Sequence, residues 1–462
     1  MINNQSQEGV KTTYDITELG RQNISEFVKY DAKPEDTAMI MYTSGSTGEP
    51  KGCILYHRSI VGGGTGLASV GASTTTKDTF YSFLPLAHIY ELGCEIVWIA
   101  QGVRIGYSSG STLRIMEDVN ELRPTIMCVV PRVLNRVAGA MQKKINALSG
   151  IKKWLVTSAL SMKETAIRSR KPSSFILDML VFEQFRKALG GRIRLFICGG
   201  APILPEIYEM MKATITPNII QGYGLTEIAA AGCVQECGTL NPLPVGPISI
   251  AADLKLRRVE GFNYDPRASP PSGEILIRGP ALFAGYHKNK ALTDEVYKDG
   301  WFATGDIGTI NPDGSVQIID RAKQLVKLSQ GEYLSITTLS DVYGKADGVE
   351  AIYLYADSHH NKPIAVVVPT RELLEKWAAA GISEPTESSA AKEEVIKNLD
   401  ECATKSALRG FERIAAVILE KEPFSIENGL LTPSQKPQFQ AMRSKYEARL
   451  IELYDQHPEL RG

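Results

Sequence analysis

The chain has 462 residues, 43% of them hydrophobic and 22% charged, with a formal net charge of −1 at pH 7. That length can build two or more apolar cores, and the balanced charge excludes a polyanion-binding surface spread over the whole molecule. The seven cysteines show no disulfide framework, Cys233 and Cys237 have no second pair to complete a zinc site, and no run reaches the ~18 apolar residues of a membrane span. Residues 1–20 lack the apolar core of a signal peptide.

Residues 1–36 are polar and are expected at the surface. The apolar run 37–41 reads as a strand delivering Tyr42-Thr43-Ser44-Gly45-Ser46-Thr47-Gly48-Glu49-Pro50-Lys51-Gly52. Its glycines let backbone N–H groups turn toward an anion, its hydroxyls add donors, and Lys51 adds a mobile positive charge. It reads as a phosphate cradle but not as a Walker A loop, and a polar turn between two strands is the plain alternative. The glycines of Gly62-Gly63-Gly64-Thr65-Gly66 either permit a close backbone approach or punctuate the chain. Apolar runs at 80–84, 102–107 and 125–130 alternate with helical stretches, which predicts α/β layering with mainly parallel strands.

Phe175, Leu177, Leu180, Phe182 and Phe185 are spaced for an amphipathic helix whose apolar side is expected in the core. Residues 192–198 form a buried-strand pattern that ends at Gly199 and Gly200, and ligands bind at such carboxyl ends in open α/β sheets. A second strand, 216–220, is expected to stop just before Gln221-Gly222-Tyr223-Gly224-Leu225-Thr226-Glu227. Residues 260–273 read as a surface loop and 274–278 as an alternating strand. Taken alone, Thr304-Gly305-Asp306 would be a turn. Strands near 351–355, 364–368 and 414–419, separated by charged helical stretches, suggest a small α+β domain, and 385–392 reads as an exposed loop or helix start.

Six stretches stand in one order: the loop 43–52, Leu84-Pro85-Leu86-Ala87-His88, Gly199-Gly200-Ala201-Pro202, Gln221 to Glu227, Gly300-Trp301-Phe302-Ala303-Thr304-Gly305-Asp306, and Asp320-Arg321-Ala322-Lys323. In that order they resemble the adenylate-forming superfamily of acyl-CoA synthetases, luciferases and peptide-synthetase adenylation domains. Residues 129–137, the stretch 151–194 and Gly331-Glu332-Tyr333 resemble its long-chain acyl-CoA synthetase branch. The resemblance implies an α/β multidomain fold. A large AMP-binding domain with a β-rich subdomain would span 1–320, and a small mobile α+β domain 321–462. Against the family pattern the segment before the cradle is short, which is expected to leave an apolar sheet edge unpaired and to lower stability and activity. Residues 336–340 lack the usual Glu, which is expected to weaken packing or coenzyme A positioning there.

By resemblance, Thr43, Ser44, Ser46, Thr47 and Lys51 line the phosphates, Gly199, Gly200, Ala201, Gln221 and Gly222 bind ATP or AMP, and Tyr223 stacks on adenine. Thr226 bonds the α-phosphate, Glu227 with Thr47 holds Mg²⁺, and Asp306 and Arg321 take the ribose. Lys323 is the hinge and Lys436 the adenylation lysine, although Pro437-Gln438 replaces the usual basic continuation. His88, Gly331 and Glu332 belong to the acyl and coenzyme A region, with a packed histidine as the plain reading of His88. The implied activity is ATP-dependent activation of a long-chain fatty acid to acyl-CoA through an acyl-adenylate, with Thr226, Glu227 and Lys436 catalytic. An inactive nucleotide- or partner-binding homologue and a ligase for another carboxylic acid stay open. The implied partners are fatty acid, ATP and coenzyme A, and no nucleic acid. The expected location is cytoplasmic, with peripheral attachment at the cytosolic face of the endoplasmic reticulum or another organelle left open, as is the oligomeric state.

Overall fold

The computed structural model describes residues 11–26, 28–44, 50–69, 74–111, 114–169, 181–259, 262, 264–382, 384–432 and 437–461. Of the residues singled out above, Ser46, Thr47, Phe175, Leu177, Leu180 and Lys436 lie outside them, and Ser44 and Lys323 are placed by their backbone alone.

A six-stranded sheet carries the first half of the chain. Its spatial order is Arg104–Tyr107, Thr79–Ser82, Ile126–Val129, Leu195–Cys198, Ile219–Tyr223, Cys233–Val234. The first five strands are parallel and the last is antiparallel. The central strands are short, continuous apolar runs because helices cover both faces, so neither face needs polar alternation. Each Ile, Val or Phe buried there contributes roughly 1.5–3 kcal/mol. At the amino edge of this sheet, Asp78 accepts 2.7 Å bonds from Thr125 Oγ1, Arg194 Nε and Arg194 Nη2. The guanidinium beside it holds the Asp78 carboxyl well below the usual carboxylate range, so the starts of three strands are pinned by charge-assisted bonds.

Two antiparallel sheets flank this layer. Thr37–Ser44 pairs with Pro50–Tyr56, placing Thr43 opposite Lys51, and Gly285–Tyr286 adds to the far side of the second strand. The β-rich part is ordered Tyr297–Lys298, Trp301–Ile310, Ser272–Arg278, Asp253–Arg257, with Val316–Arg321 paired to the distal half of Trp301–Ile310. Thr304-Gly305-Asp306 lies within strand Trp301–Ile310 and not in a turn: it fills a register shift opposite Glu274 and Leu276, with Gly305 at a φ of +73°, and Asp306 resumes the pairing opposite Arg321. Likewise the expected 216–220 strand runs through Tyr223, so Gln221 and Gly222 are ladder residues.

Beyond residue 325 the strands Val349–Tyr355, Ile364–Pro369 and Val417–Leu419 form a three-stranded sheet. Helices Ile336–Tyr343 and Ser389–Lys405 cover one face and Phe439–Asp455 the other. The apolar clusters of the first part stop at Ile318, and those of the second start at Val326. Packing at residues 336–343 is complete despite the missing Glu, because Ile336, Leu339 and Tyr343 are all buried and Ser335 caps the helix. Phe182 and Phe185 join the core as expected. The N-terminal helix Thr13–Gln22, closed by a Thr12/Asp15 capping box, buries none of its residues.

Candidate active site

The site residues converge through strand register. Asp306 faces Arg321 directly across the Trp301–Ile310/Val316–Arg321 ladder, and Arg321 Nε lies 3.2 Å from its carboxylate. From the parallel sheet, Tyr223 donates its hydroxyl to Asp306 Oδ2 at 2.5 Å. This one bond ties the carboxyl end of the parallel sheet to the β-rich part. Asp306 is only 3% exposed. Burial raises its pKa, and the Arg321 guanidinium and the Tyr223 hydroxyl oppose that shift. The Tyr223 hydroxyl is pushed well up in turn, by burial and then by the charge of Asp306, so it stays a donor.

The second carboxylate is four residues past Tyr223. Leu225 leads into a single 3₁₀ turn, Thr226–Ile228, and Ala229 and Ala230 then take left-handed backbone angles of +48° and +85°. This tight reversal brings Glu227 near Asp306, and the charge on Glu227 is among the influences that raise the Asp306 pKa. Glu227 Oε1 accepts the Tyr286 hydroxyl at 2.8 Å, and its carbonyl accepts the Phe283 N–H at 2.8 Å. Lys51 Nζ sits 5.6 Å from the Tyr286 ring centroid, which brings the cradle cation to the same ring that holds Glu227. Tyr286 was not legible in the sequence, since its partner is 59 residues away and its strand is two residues long.

The glycine run 62–66 has a definite job. It lies in helix His57–Ala68, which packs against the reversal so closely that a Cβ on Gly63 would stand 1.9 Å from the Ala229 carbonyl oxygen and one on Gly66 2.2 Å from Ser249 Oγ. Gly224 has the same constraint, with the Ala230 carbonyl oxygen 1.3 Å from its would-be Cβ. Close approach, not flexibility, explains these glycines.

Other predicted residues fall elsewhere. Gly199 backs onto the Tyr90 ring, and Gly200 takes a φ of +85° at the strand end, with Ala201 exposed beside it. The Gln221 side chain is buried and turned into the fold, accepting from Ile203 N–H at 3.3 Å and donating to the Pro242 carbonyl. It is a strut between two loops and not an exposed ligand. His88 caps helix Ile89–Ala100, its Nδ1 accepting from Tyr90 N–H at 3.2 Å. Gly331 and Glu332 form the turn between Leu325–Lys327 and Tyr333–Ser335, beyond the 3₁₀ turn Ala322–Gln324 that contains Lys323. Contacts that join the halves across that turn include Lys345 Nζ to Glu206 Oε1 at 2.6 Å and the Phe262 and Tyr333 rings at 4.6 Å.

Glu91 is a further buried group that the sequence gave no reason to single out. Its Oε1 accepts from Phe83 N–H at 3.2 Å, locking the end of strand Thr79–Ser82 to helix Ile89–Ala100, while Oε2 is buried with no hydrogen-bond partner among the described residues. Burial pushes its pKa up to about 8, with the neighbouring Glu95 adding to the rise.

The family model described as "AMP-binding enzyme" matches residues 3–287. Long chain acyl-CoA synthetase 4 of Arabidopsis thaliana is 38% identical over 449 residues, covering 93% of this chain and 67% of that protein. Long chain acyl-CoA synthetase 1 of the same plant is 38% identical over 474 residues, covering 97% and 70%. The chain thus spans about two thirds of the length of these curated relatives. Among solved structures, the adenylation domain of a carboxylate reductase from Mycobacterium chelonae superposes with a TM-score of 0.73 at 26% identity, over 93% of this chain and 61% of that one. The corresponding domain from Segniliparus rugosus, in complex with AMP and a co-purified carboxylic acid, gives 0.71 at 25%, over 97% and 70%. The family-model match takes in Tyr223, Glu227 and Tyr286, and the chain belongs to the AMP-binding, adenylate-forming enzyme family, in its long-chain acyl-CoA synthetase branch.

Proposed function

We infer that this chain joins a long-chain fatty acid to coenzyme A at the expense of ATP, through an acyl-adenylate. The observation that carries the reading is the pair of carboxylates, Asp306 and Glu227, held by Tyr223, Arg321 and Tyr286 at the carboxyl end of the parallel sheet. Asp306 accepts the ribose hydroxyls, with Tyr223 offering an aromatic face to adenine and Arg321 fixing the carboxylate. Thr226 donates to the α-phosphate.

A carboxylate attacking the α-phosphate brings two anions together, so the site must neutralise charge where it develops. Lys51 and the hydroxyl-rich loop would supply donors, and Lys436, outside the described residues, a cation. Glu227 provides the hard carboxylate oxygen that suits Mg²⁺, with Thr47 as second protein ligand. The bound ion would draw charge from the phosphates. Attack forms the acyl–phosphate bond and expels pyrophosphate; the coenzyme A thiol, losing its proton, then attacks the acyl carbon and AMP leaves. The small domain turns about Lys323 between the two steps.

Acid-dependent exchange of labelled pyrophosphate into ATP, measured over acids of graded chain length, tests this reading. Exchange that rises with chain length into the long-chain range is expected. Exchange with aryl or short acids alone moves the chain to another ligase class, and no exchange with any acid makes it a binding homologue.

A further inference from the structure

The helical hairpin made by Pro131–Asn146 and Gly150–Arg168 has two features that the active site does not use. The first is charge. Residues 131–163 contain seven Lys and Arg and no Asp or Glu, in a chain whose net charge is −1. Lys143 and Lys144 end the first helix, Lys152 and Lys153 begin the second, and all four are exposed around the tip.

The second feature is apolar. Helix Gly150–Arg168 packs inward through Val156 and Ala159. Beside that buried edge the helix presents Ile151 at 82% exposure, Trp154 at 67%, Leu155 at 44% and Met162 at 61%. Offsets of three, four and eleven residues from Ile151 place these side chains on one face. Such side chains are costly to leave in water, and scattered single exposures are ordinary; a contiguous stripe with a tryptophan and a cationic rim marks a contact surface.

We propose that the tip of this hairpin docks the protein on an anionic lipid surface. Trp154, Ile151 and Leu155 would enter the headgroup boundary while the four lysines meet lipid phosphates and carboxylates. Charge complementarity decides the occupant: a protein partner or a second copy of this chain would have to match four lysines, and a second copy brings the same lysines to the contact. Among the described residues no helix is long and apolar enough to cross a membrane, so the mode is interfacial. The inference goes beyond the reading of the active site and does not depend on it.

The test uses the full chain and vesicles of phosphatidylcholine, with and without phosphatidylserine, by co-sedimentation. Binding to the anionic vesicles, weakened by added salt, is expected, together with quenching of Trp154 by brominated lipid. With ~1 kcal/mol for each lysine near the surface, Lys152→Gln/Lys153→Gln should bind about thirtyfold more weakly. Ile151→Ser/Trp154→Ser should lose binding while keeping the parent's helical content and melting curve, because both positions face solvent. Failure of the parent to bind anionic vesicles, equal binding to neutral ones, or binding untouched by both double variants overturns the proposal. Self-association of the parent that the Ile151→Ser/Trp154→Ser variant abolishes also overturns it, since the stripe would then be a protein interface.

Discussion

Replacing Asp306 by Asn separates a ligand-binding role from a structural one, because the two have opposite signs. The amide oxygen of Asn can still accept the Tyr223 hydroxyl now bonded at 2.5 Å, so that link survives. What is lost is the charge opposite Arg321 and one of two acceptors facing the ribose, where an N–H donor takes its place. A hydrogen bond to a charged group contributes about 1.5–3 kcal/mol. Losing one and weakening the other should cost about 2–4 kcal/mol of ATP binding, or about 30- to 700-fold in Kd. Stability should not follow. The folded Asp306 pKa lies above its ordinary value of 3.8 because of burial, so its ionisation costs stability once pH exceeds that value. A neutral amide removes that cost, so at pH 7 the melting temperature should hold or rise. Calorimetric titration with a non-hydrolysable ATP analogue, beside a thermal melt, measures both. Unchanged affinity, or an affinity loss with a lowered melting temperature, refutes the reasoning.

Gly63→Ala places a methyl group 1.9 Å from the Ala229 carbonyl oxygen and should destabilise by about 1–3 kcal/mol in urea unfolding and slow adenylation. Gly139→Ala, in a helix with open space at that position, should instead stabilise by about 0.5–1 kcal/mol. Equal effects would mean that helix His57–Ala68 does not brace the 224–231 reversal. Glu91 keeps its proton to about pH 8 in the fold and to about 4.5 when unfolded, so the native protein loses stability as pH rises between those values and levels off above. Glu91→Gln should therefore gain over the parent by up to roughly 1.4 kcal/mol per pH unit through that window, read from melts across pH. A constant difference at every pH would contradict the buried, protonated Glu91.

The parallel strands were legible because a doubly covered strand is a short unbroken apolar run, as at Leu195–Cys198. The glycine run 62–66 read equally well as a close-approach site or as punctuation, and the sequence could not decide, since the Ala229 carbonyl meets Gly63 only after 165 intervening residues fold between them. The strand end was misjudged at Gln221–Tyr223, where polar and glycine residues look like a turn yet complete the ladder, while Thr304–Asp306, turn-like taken alone, is a register shift inside a strand. Tyr286 and Glu91 left no local signal: a lone tyrosine and a helical glutamate are ordinary residues until tertiary contacts give one a carboxylate to hold and bury the other.

The most direct test of the central claim follows the α-phosphorus of ATP. With α-labelled ATP, Mg²⁺ and hexadecanoic acid but no coenzyme A, the label should pass into an acyl-adenylate at the protein. Adding coenzyme A should convert it to free AMP with equal formation of the thioester. Label that stays in ATP, or that reaches AMP without an acid-dependent intermediate, contradicts the assignment of Asp306, Glu227 and Thr226 to an adenylating site.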